Sequence, residues 1–281
     1  MVSRKPPWLR KKVDFSSIRA MEAVTGRFGL HTICESALCP NQSECFARGT
    51  ATFLILGDRC TRNCRFCNVA HGRPEPLDRD EPLRVARAVM HLGLRYAVVT
   101  SVTRDDLEDG GAEQFARTIR AIKGLDMGVR VEVLVPDFLD AIDRVVEAGP
   151  EVINHNLETV PRLYPEVRPG ADYRRSLGLL EKVKETGKGI RTKSGLMLGL
   201  GEEEEEILHV MKDLRRAGCD MLTLGQYLSP SRAHLPVREY VPPERFEWFG
   251  EVAKEMGFLF VASGPFVRSS YFAEAWLEKQ G

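Results

Sequence analysis

Residues 53–67 read FLILGDRCTRNCRFC, a short apolar run followed by a loop that carries three cysteines. The apolar run, residues 53–56, has the length and composition of a buried β-strand. In folds built around a parallel sheet, active sites lie on the loops that leave the carboxyl ends of the strands. The three cysteines therefore stand where a parallel α/β fold would place its chemistry.

Strand-like and helix-like runs alternate along the rest of the chain. The β-rich runs occupy residues 53–56, 96–100, 129–135, 152–156, 189–200 and 221–227, and amphipathic helical runs lie between them at residues 82–92, 112–122, 139–147, 173–184 and 203–216. This alternation predicts βαβ units and a parallel sheet. Six such units fit either a partial (β/α)6 TIM-like barrel or an open doubly wound sheet, and the alternation alone leaves both open.

Punctuation residues mark the ends of these runs. A glycine follows each helical run, as at a C-terminal cap: Gly93, Gly124, Gly149, Gly187 and Gly218. Acidic residues 202–206 open the fifth helix, and a solvated first turn favoured by the helix dipole is their simplest interpretation. A seventh strand-like run, residues 258–262, leads into a short final helix.

Length and composition fit one large domain. Of the 281 residues, 43% are hydrophobic and 28% charged, so a packed core is expected. We expect a barrel over residues 51–257, an N-terminal extension over residues 1–50 and a C-terminal extension over residues 258–281. No apolar stretch approaches the ~20 residues that span a bilayer, and no apolar segment follows the basic N-terminal residues, so neither a membrane nor a secretory signal is predicted.

The charges give no overall case for a nucleic-acid partner, because forty basic residues balance forty acidic ones. The basic residues near the N-terminus could form a docking arm, but we favour a solvated, partly ordered tail. They are Arg4, Lys5, Arg10, Lys11 and Lys12.

Six of the seven cysteines form two triplets. Cys34, Cys39 and Cys45 lie in the N-terminal extension, and Cys60, Cys64 and Cys67 lie on the loop after the first strand. An odd cysteine count without a secretory signal argues against disulfides and for a reducing, cytoplasmic compartment.

Two kinds of metal site are compatible with these triplets. Zinc prefers four ligands and would have to mix the triplets or recruit His31 or His71. Three thiolates on a [4Fe–4S] cluster leave one iron open for a substrate or cofactor. The remaining Cys219 is interpreted as a small buried hydrophobe.

The spacing Cys60-x3-Cys64-x2-Cys67, with Phe66 before the last cysteine, resembles the signature of the radical S-adenosylmethionine superfamily. The resemblance implies a partial barrel, and a [4Fe–4S] cluster whose open iron binds S-adenosyl-L-methionine. It also implies cleavage of that cofactor to a 5′-deoxyadenosyl radical, with Phe66 beside the cofactor.

Several further segments are similar to the lipoyl synthase family. They are the first cysteine triplet, VINHNLET at residues 152–159, TKSGLMLGLGE at 192–202, GQYLSPSRAHLPV at 225–237 and RSSY at 268–271. The resemblance implies a second, auxiliary [4Fe–4S] cluster, held by Cys34, Cys39, Cys45 and Ser270. Without the resemblance, Ser269 and Ser270 would be interpreted as an N-cap of the final helix.

The same resemblance implies the reaction: sulfur insertion at C6 and C8 of an octanoyl chain on a carrier lysine, with the auxiliary cluster as sulfur donor. The implied partners are lipoyl carrier domains (2-oxoacid dehydrogenase E2 and glycine cleavage H protein), a ferredoxin or flavodoxin, and an iron–sulfur cluster delivery protein. A methylthiotransferase-like enzyme and a non-catalytic metal-binding protein are the alternatives.

Polar residues at later strand ends are candidate cofactor ligands. Asn154, Asn156 and Glu158 alternate along one strand, so they can face one side. A similar segment of biotin synthase contacts the cofactor ribose, and the alternative is a polar strand end. His155 would face the other way.

Lys193 and Arg168 are candidates for the cofactor carboxylate, with an ordinary salt bridge as the alternative. The glycines Gly195, Gly199 and Gly201 lack the dinucleotide-binding spacing and could instead allow close approach of adenine.

Overall fold

The computed structural model describes residues 5–48, 50–138 and 141–280. Its contacts divide the chain into two compact units. The first unit comprises Lys12–Arg62, Asn68–Ile153 and Phe272–Gly281, and the second unit comprises Met1–Lys11, Asn63–Cys67 and Asn154–Tyr271. The cysteine loop, residues 57–67, is therefore shared, with Cys60 in the first unit and the other two cysteines in the second.

Short helices and mostly parallel strands alternate in the first unit. In chain order they are α1 (Phe15–Phe28), β1 (His31–Thr32), α2 (Ile33–Ser36), α3 (Gln42–Ala47), β2 (Thr52–Ile55), β3 (Arg59–Cys60), β4 (Ala70–His71), α4 (Glu81–His91), β5 (Tyr96–Ser101), α5 (Ala112–Lys123), β6 (Arg130–Leu134), α6 (Ile142–Glu147) and β7 (Val152–Asn154), which ends in the second unit. Strands β2, β5 and β6 are parallel neighbours, and β1 joins β2 in the antiparallel direction. β3 pairs with β4 in a separate ribbon.

The second unit continues the same rhythm. Its elements are α7 (Tyr164–Val167), α8 (Tyr173–Glu185), β8 (Arg191–Leu198), α9 (Glu204–Arg216), β9 (Met221–Gln226), α10 (Pro243–Glu255) and β10 (Phe260–Ser263). Strands β8, β9 and β10 are parallel neighbours. No helix among the described residues is long and apolar enough to cross a membrane.

Burial explains why these runs form these elements. Every residue of β2 and β9 is buried, as expected for strands of a parallel sheet that is covered on both faces. The helices instead bury one stripe. Helix α9 buries Ile207, Val210, Met211 and Leu214, at the spacing of one helix face.

The observed strands and helices begin and end within three residues of their predicted bounds. The predicted helix over residues 139–147 corresponds to α6, and residues 139 and 140 lie outside the described residues. Five helices among the described residues were missed: α1, α2, α3, α7 and α10. The final helix is a 3₁₀ segment, Ala273–Gln280. Four of the five capping glycines have positive φ, but Gly124 has φ −68°, so its backbone needs no glycine.

The C-terminal 3₁₀ segment belongs to the first unit, where a buried hydrogen-bonded chain holds it. The indole of Trp276 donates to the Tyr96 hydroxyl at 3.0 Å, and that hydroxyl donates to the Glu132 carboxylate at 2.7 Å. Burial and the adjacent carboxylate both raise the pKa of Tyr96, so the phenol remains a donor.

The N-terminal residues combine exposed basic side chains with two anchoring contacts. Leu9 is fully buried, and the ammonium group of Lys11 lies over two aromatic rings of the second unit. Burial lowers the pKa of Lys5. The expectation of a solvated, partly ordered tail holds for Lys5, Arg10 and Lys12, which are exposed, while Leu9 anchors the segment and Arg4 lies outside the described residues.

Glu202 corrects the interpretation of the acidic run. Helix α9 begins at Glu204, with Glu203 as N-cap and Glu206 completing a capping box. The Glu202 carboxylate instead accepts hydrogen bonds from the backbone N–H groups of residues 199, 200 and 201, at 3.0, 2.9 and 3.2 Å, and from the Thr159 hydroxyl at 3.2 Å. Burial nevertheless raises its pKa. Glu202 therefore organises the turn after β8.

Replacing Glu202 by Ala should lower the free energy of unfolding by about 2 kcal/mol, because three backbone N–H groups lose a charged acceptor. The matched control is Glu205→Ala in the exposed first turn of α9, which should change stability by less than about 0.5 kcal/mol. Urea unfolding of the cluster-free chain, followed by circular dichroism, measures both. Equal, small effects would show that the Glu202 contacts carry no stability.

Candidate active site

The cysteine loop starts from a sharp turn after β2. Leu56 has φ +70°, an unusual value for a residue with a side chain. Its N–H donates to the buried carboxylate of Glu81 at 2.9 Å, and its carbonyl accepts from the buried guanidinium of Arg104 at 3.2 Å. A side chain at Gly111 would collide with Leu56. These contacts fix the direction in which the chain leaves the strand.

The sulfur of Cys60 accepts hydrogen bonds from two backbone N–H groups. These donors belong to Thr103, at 3.3 Å, and Arg62, at 3.4 Å. N–H donors to sulfur stabilise thiolate charge and tune the potentials of iron–sulfur clusters. The environment of Cys60 in the first unit therefore fits a cluster ligand.

Arg62, two residues further on, is anchored by two carboxylates. It pairs with Asp137, whose side chain is fully buried, at 2.7 Å and with Asp105 at 2.8 Å. Burial disfavours the guanidinium charge, but the hydrogen bonds to both aspartates outweigh burial and raise the pKa of Arg62. This network holds the part of the cysteine loop that belongs to the first unit.

Cys64 and Cys67 lie on a tight turn in the second unit, where the Cys67 N–H donates to the Cys64 carbonyl at 3.0 Å. The His234 Nε2–H donates to the Cys67 carbonyl at 3.1 Å, while its Nδ1 accepts from the Ser231 hydroxyl at 2.8 Å. Phe66 packs against the core of this unit. Residues 231–235 thus brace the turn from a distant part of the sequence.

The first cysteine triplet is gathered in one apolar cluster of the first unit. Cys34 is buried, and the side chains of Cys39 and Cys45 pack against the same cluster. The Cys39 N–H donates to the Cys34 carbonyl at 2.9 Å. Burial and the neighbouring Cys39 raise the pKa of Cys34 to about 12, so this thiol ionises only when a metal displaces its proton.

Among the described residues, no group of three or more His, Cys, Asp and Glu side chains is arranged around a single metal ion. That arrangement is what a mononuclear zinc site needs. A [4Fe–4S] cluster binds each cysteine through a different iron, so its ligands converge less closely. Which residues hold the clusters stays a prediction.

Past the end of β7, the candidate ribose ligands form a polar group in the second unit. The Asn156 Nδ2 donates to the Glu158 carboxylate at 3.0 Å, and burial raises the pKa of Glu158. Glu158 has φ +67°, which is a strained backbone conformation for a residue with a side chain. Residues in such conformations occur most often at functional sites. Both amide atoms of the buried Asn154 and the Oδ1 of Asn156 have no hydrogen-bond partner among the described residues. Such buried polar atoms favour a ligand site.

Gly195 of β8 leaves room at this group, because a side chain there would collide with the Thr223 hydroxyl and approach Asn156 to 2.9 Å. Lys193 on the same strand is fully buried. His155 is buried too, and its N–H donates to the Lys193 carbonyl at 3.0 Å.

Arg168 has a structural role. Its Nη1 donates to the carbonyls of Asn156 at 2.9 Å and Leu157 at 3.2 Å, and to the Tyr164 hydroxyl at 3.1 Å. These contacts hold the chain just after β7. A contact between Arg168 and a cofactor remains a prediction.

The two serines of RSSY lie in the second unit. The 3₁₀ segment that follows begins at Ala273, so neither serine is its N-cap, and that alternative is wrong. The Ser269 hydroxyl accepts a hydrogen bond from the Asn156 Nδ2 at 2.6 Å. Cluster ligation by Ser270 remains a prediction. Cys219 is fully buried in the core, as expected, and burial raises its pKa to about 12.

Comparisons with known proteins decide the family. The sequence model of the Radical SAM superfamily matches residues 54–256. The lipoyl synthase of Caldanaerobacter subterraneus subsp. tengcongensis is 60% identical over 280 residues, covering 99% of this chain and 98% of that protein. The chain belongs to the lipoyl synthase family. The lipoyl synthase of Nitrosococcus oceani is 58% identical and covers 96% of this chain and 85% of that protein.

Solved structures agree at the level of the fold. Streptococcus suis SuiB bound to S-adenosylmethionine has a TM-score of 0.59 at 10% identity, covering 90% of this chain and 57% of that chain. Methylornithine synthase (PylB) has a TM-score of 0.52 at 16% identity, covering 67% and 56%. The α/β partial (β/α)6 barrel is confirmed, and the doubly wound sheet is not supported. Family membership makes the chain a radical S-adenosylmethionine enzyme that inserts sulfur and uses [4Fe–4S] clusters.

Sequence reasoning missed the side chains that brace the cysteine loop. Glu81, Arg104 and Arg62 are ordinary charged residues in the sequence, and only their burial distinguishes them. His234 carried a usable signal, because it lies in the segment 225–237 that resembles lipoyl synthases.

Replacing His234 by Ala should speed amide hydrogen exchange at residues 64–67 roughly fivefold, because the Cys67 carbonyl loses a side-chain donor. His209→Ala on the exposed side of α9 is the control and should leave exchange there unchanged. His234→Gln can donate to the same carbonyl and should restore part of the protection. Unchanged exchange in His234→Ala would show that the backbone contacts of the turn suffice.

Proposed function

We propose that this enzyme inserts two sulfur atoms, at C6 and C8, into an octanoyl chain amide-linked to a lysine of a carrier protein. The similarity to curated lipoyl synthases, 54–60% identity over nearly the whole chain, carries the proposal. Both cysteine triplets of the family pattern are present. The C–H bonds at C6 and C8 are unactivated, so acid–base catalysis alone cannot open them.

Cys60, Cys64 and Cys67 are proposed to hold the catalytic cluster. When bound, the reduced cluster and S-adenosylmethionine supply a radical that can abstract hydrogen from an unactivated C–H bond. The chain's own contribution is placement. The donors to Cys60 Sγ and the His234 contact at the Cys67 carbonyl support the loop from both ends.

Cofactor contacts are assigned to the polar group after β7 and its neighbours. Asn156 and Glu158 are proposed to bind the ribose hydroxyls, because two acceptors and an amide suit a diol. Phe66 would line the adenosyl side. Lys193 would attract the cofactor carboxylate, and Arg168 would hold the backbone that carries Asn156 as well as contacting the cofactor.

Cys34, Cys39, Cys45 and Ser270 are proposed to hold the auxiliary cluster, which serves as the sulfur donor. A serine oxygen is a hard ligand among soft thiolates, so its bond to iron is the weakest of the four. That weakness suits a cluster that must give up sulfur.

The proposed partners follow from this chemistry. The substrate is an octanoylated lipoyl domain of a 2-oxoacid dehydrogenase E2 subunit or a glycine cleavage H protein. A ferredoxin or flavodoxin would supply electrons, and an iron–sulfur delivery protein would rebuild the auxiliary cluster. A cytoplasmic location is supported by the two cysteine triplets, because thiols that bind metal must stay reduced.

The direct test is anaerobic incubation of the reconstituted enzyme with reductant, S-adenosylmethionine and an octanoyl-lysine peptide. Mass spectrometry should find two added sulfur atoms, with two cofactor molecules cleaved per product. A product with a methylthio group would support the methylthiotransferase alternative. Zinc without sulfide in the purified protein would overturn the cluster assignment altogether.

The two triplets should have different phenotypes. Replacing Cys60, Cys64 or Cys67 by Ala should abolish formation of 5′-deoxyadenosine. Replacing Cys34, Cys39 or Cys45 by Ala should leave some 5′-deoxyadenosine but stop sulfur insertion. Cys219→Ala, which belongs to neither triplet, is the control and should retain both activities. If the two phenotypes were exchanged, the cluster assignment would have to be reversed.

A further inference from the structure

The segment of residues 264–271, here called the RSSY strap, runs close against β9 in the second unit. The Gly264 N–H donates to the Leu224 carbonyl at 3.0 Å. Gly225 makes the next step possible, because a side chain there would collide with the carbonyl oxygen of Val267 and contact Arg268 at 3.2 Å. The strap therefore crosses β9 at a position that only glycine permits.

The strap is also contacted by an N-terminal residue of the same unit. The ammonium group of Lys11 lies 4.9 Å from the ring centroid of Phe266 and 5.3 Å from that of Tyr271. Cation–π contacts at these distances are attractive. Residues 264 and 266 at one end of the strap and residue 271 at the other are thus fixed, with both serines between them.

Ser269 connects the strap to the proposed cofactor site. The Asn156 amide nitrogen donates to the Ser269 hydroxyl at 2.6 Å and to the Glu158 carboxylate at 3.0 Å, which uses both of its hydrogens. The amide oxygen of Asn156 is buried and has no hydrogen-bond partner among the described residues. The two bonds therefore fix the plane of the amide and leave its oxygen for a ligand.

We propose that Ser269 is a positioning residue that orients Asn156 for S-adenosylmethionine and thereby couples cofactor binding to the placement of Ser270. Ser269 and Ser270 are adjacent in the chain, so an ordered Asn156–Ser269 bond restricts where the next side chain can go. By linkage, cofactor bound at Asn156 stabilises the strap, and a strap held at Ser269 strengthens cofactor binding. This inference rests on the proposed cofactor role of Asn156.

The test compares reconstituted wild-type enzyme with Ser269→Ala and Ser269→Thr. Ser269→Ala leaves one Asn156 hydrogen without its acceptor in a buried site, so the Kd for S-adenosylmethionine should rise about tenfold. Ser269→Thr keeps the hydroxyl and should restore most of the affinity. Ser263→Ala is the matched control, because that hydroxyl also makes a 2.6 Å bond, but to the Phe246 carbonyl.

Amide hydrogen exchange distinguishes coupling between cofactor and strap from a general loss of structure in the variant. In wild type and Ser269→Thr, saturating S-adenosylmethionine should slow exchange at residues 266–271 about fivefold, and in Ser269→Ala this cofactor-dependent protection should disappear. The two failures are distinguishable. If wild type binds no S-adenosylmethionine, the proposed function fails. If wild type binds it normally but residues 266–271 gain no protection, or Ser269→Ala keeps both affinity and protection, the coupling is refuted.

Discussion

The ion pair between Arg62 and the fully buried Asp137 is the constraint on which the cysteine loop depends. A buried charge that loses its partner costs about 3–5 kcal/mol, so this pair does not open cheaply. Arg62 stands between the first two cysteines of the second triplet. The ion pair at Arg62 and the turn at Leu56 together fix the course of the cysteine loop. This loop has little regular structure of its own beyond the two-residue strand β3. The thiol of Cys60 gains two backbone donors as a result.

The end of β7 shows the opposite balance between stability and function. Buried polar groups are ordinarily satisfied, because each unsatisfied one costs about 1–3 kcal/mol. Asn154 and Asn156 nevertheless retain unpartnered atoms within the described part of the chain, and Glu158 adopts a strained backbone conformation. Arg168 and Ser269 hold this region in place. These residues form a preorganised polar surface that supports the proposed cofactor site.

Composition alone did not predict the contacts made by two charged segments. Glu202 begins an acidic run that any local rule assigns to solvent, yet its carboxylate closes the turn after β8. The basic N-terminal residues carry the composition of a tail, yet Leu9 is fully buried and Lys11 lies over aromatic rings some 250 residues away. Composition does not show these contacts, because Glu202 bonds the backbone of its own turn and Lys11 contacts rings that only folding brings near.

The sequence by itself determined the strand–helix rhythm, because periodicity and capping residues act over a few neighbours and need no distant partner. It also determined the two cysteine triplets, whose spacing within short segments is the signature of the family. Tertiary structure decided which polar residues support the site. Glu81, Arg104 and Arg62 are distinguished only by burial and by hydrogen bonds to groups 25 to 75 residues away. The crossing of the strap at Gly225 was likewise decided by folding, because a glycine reveals its role only when another segment of backbone comes to lie against it.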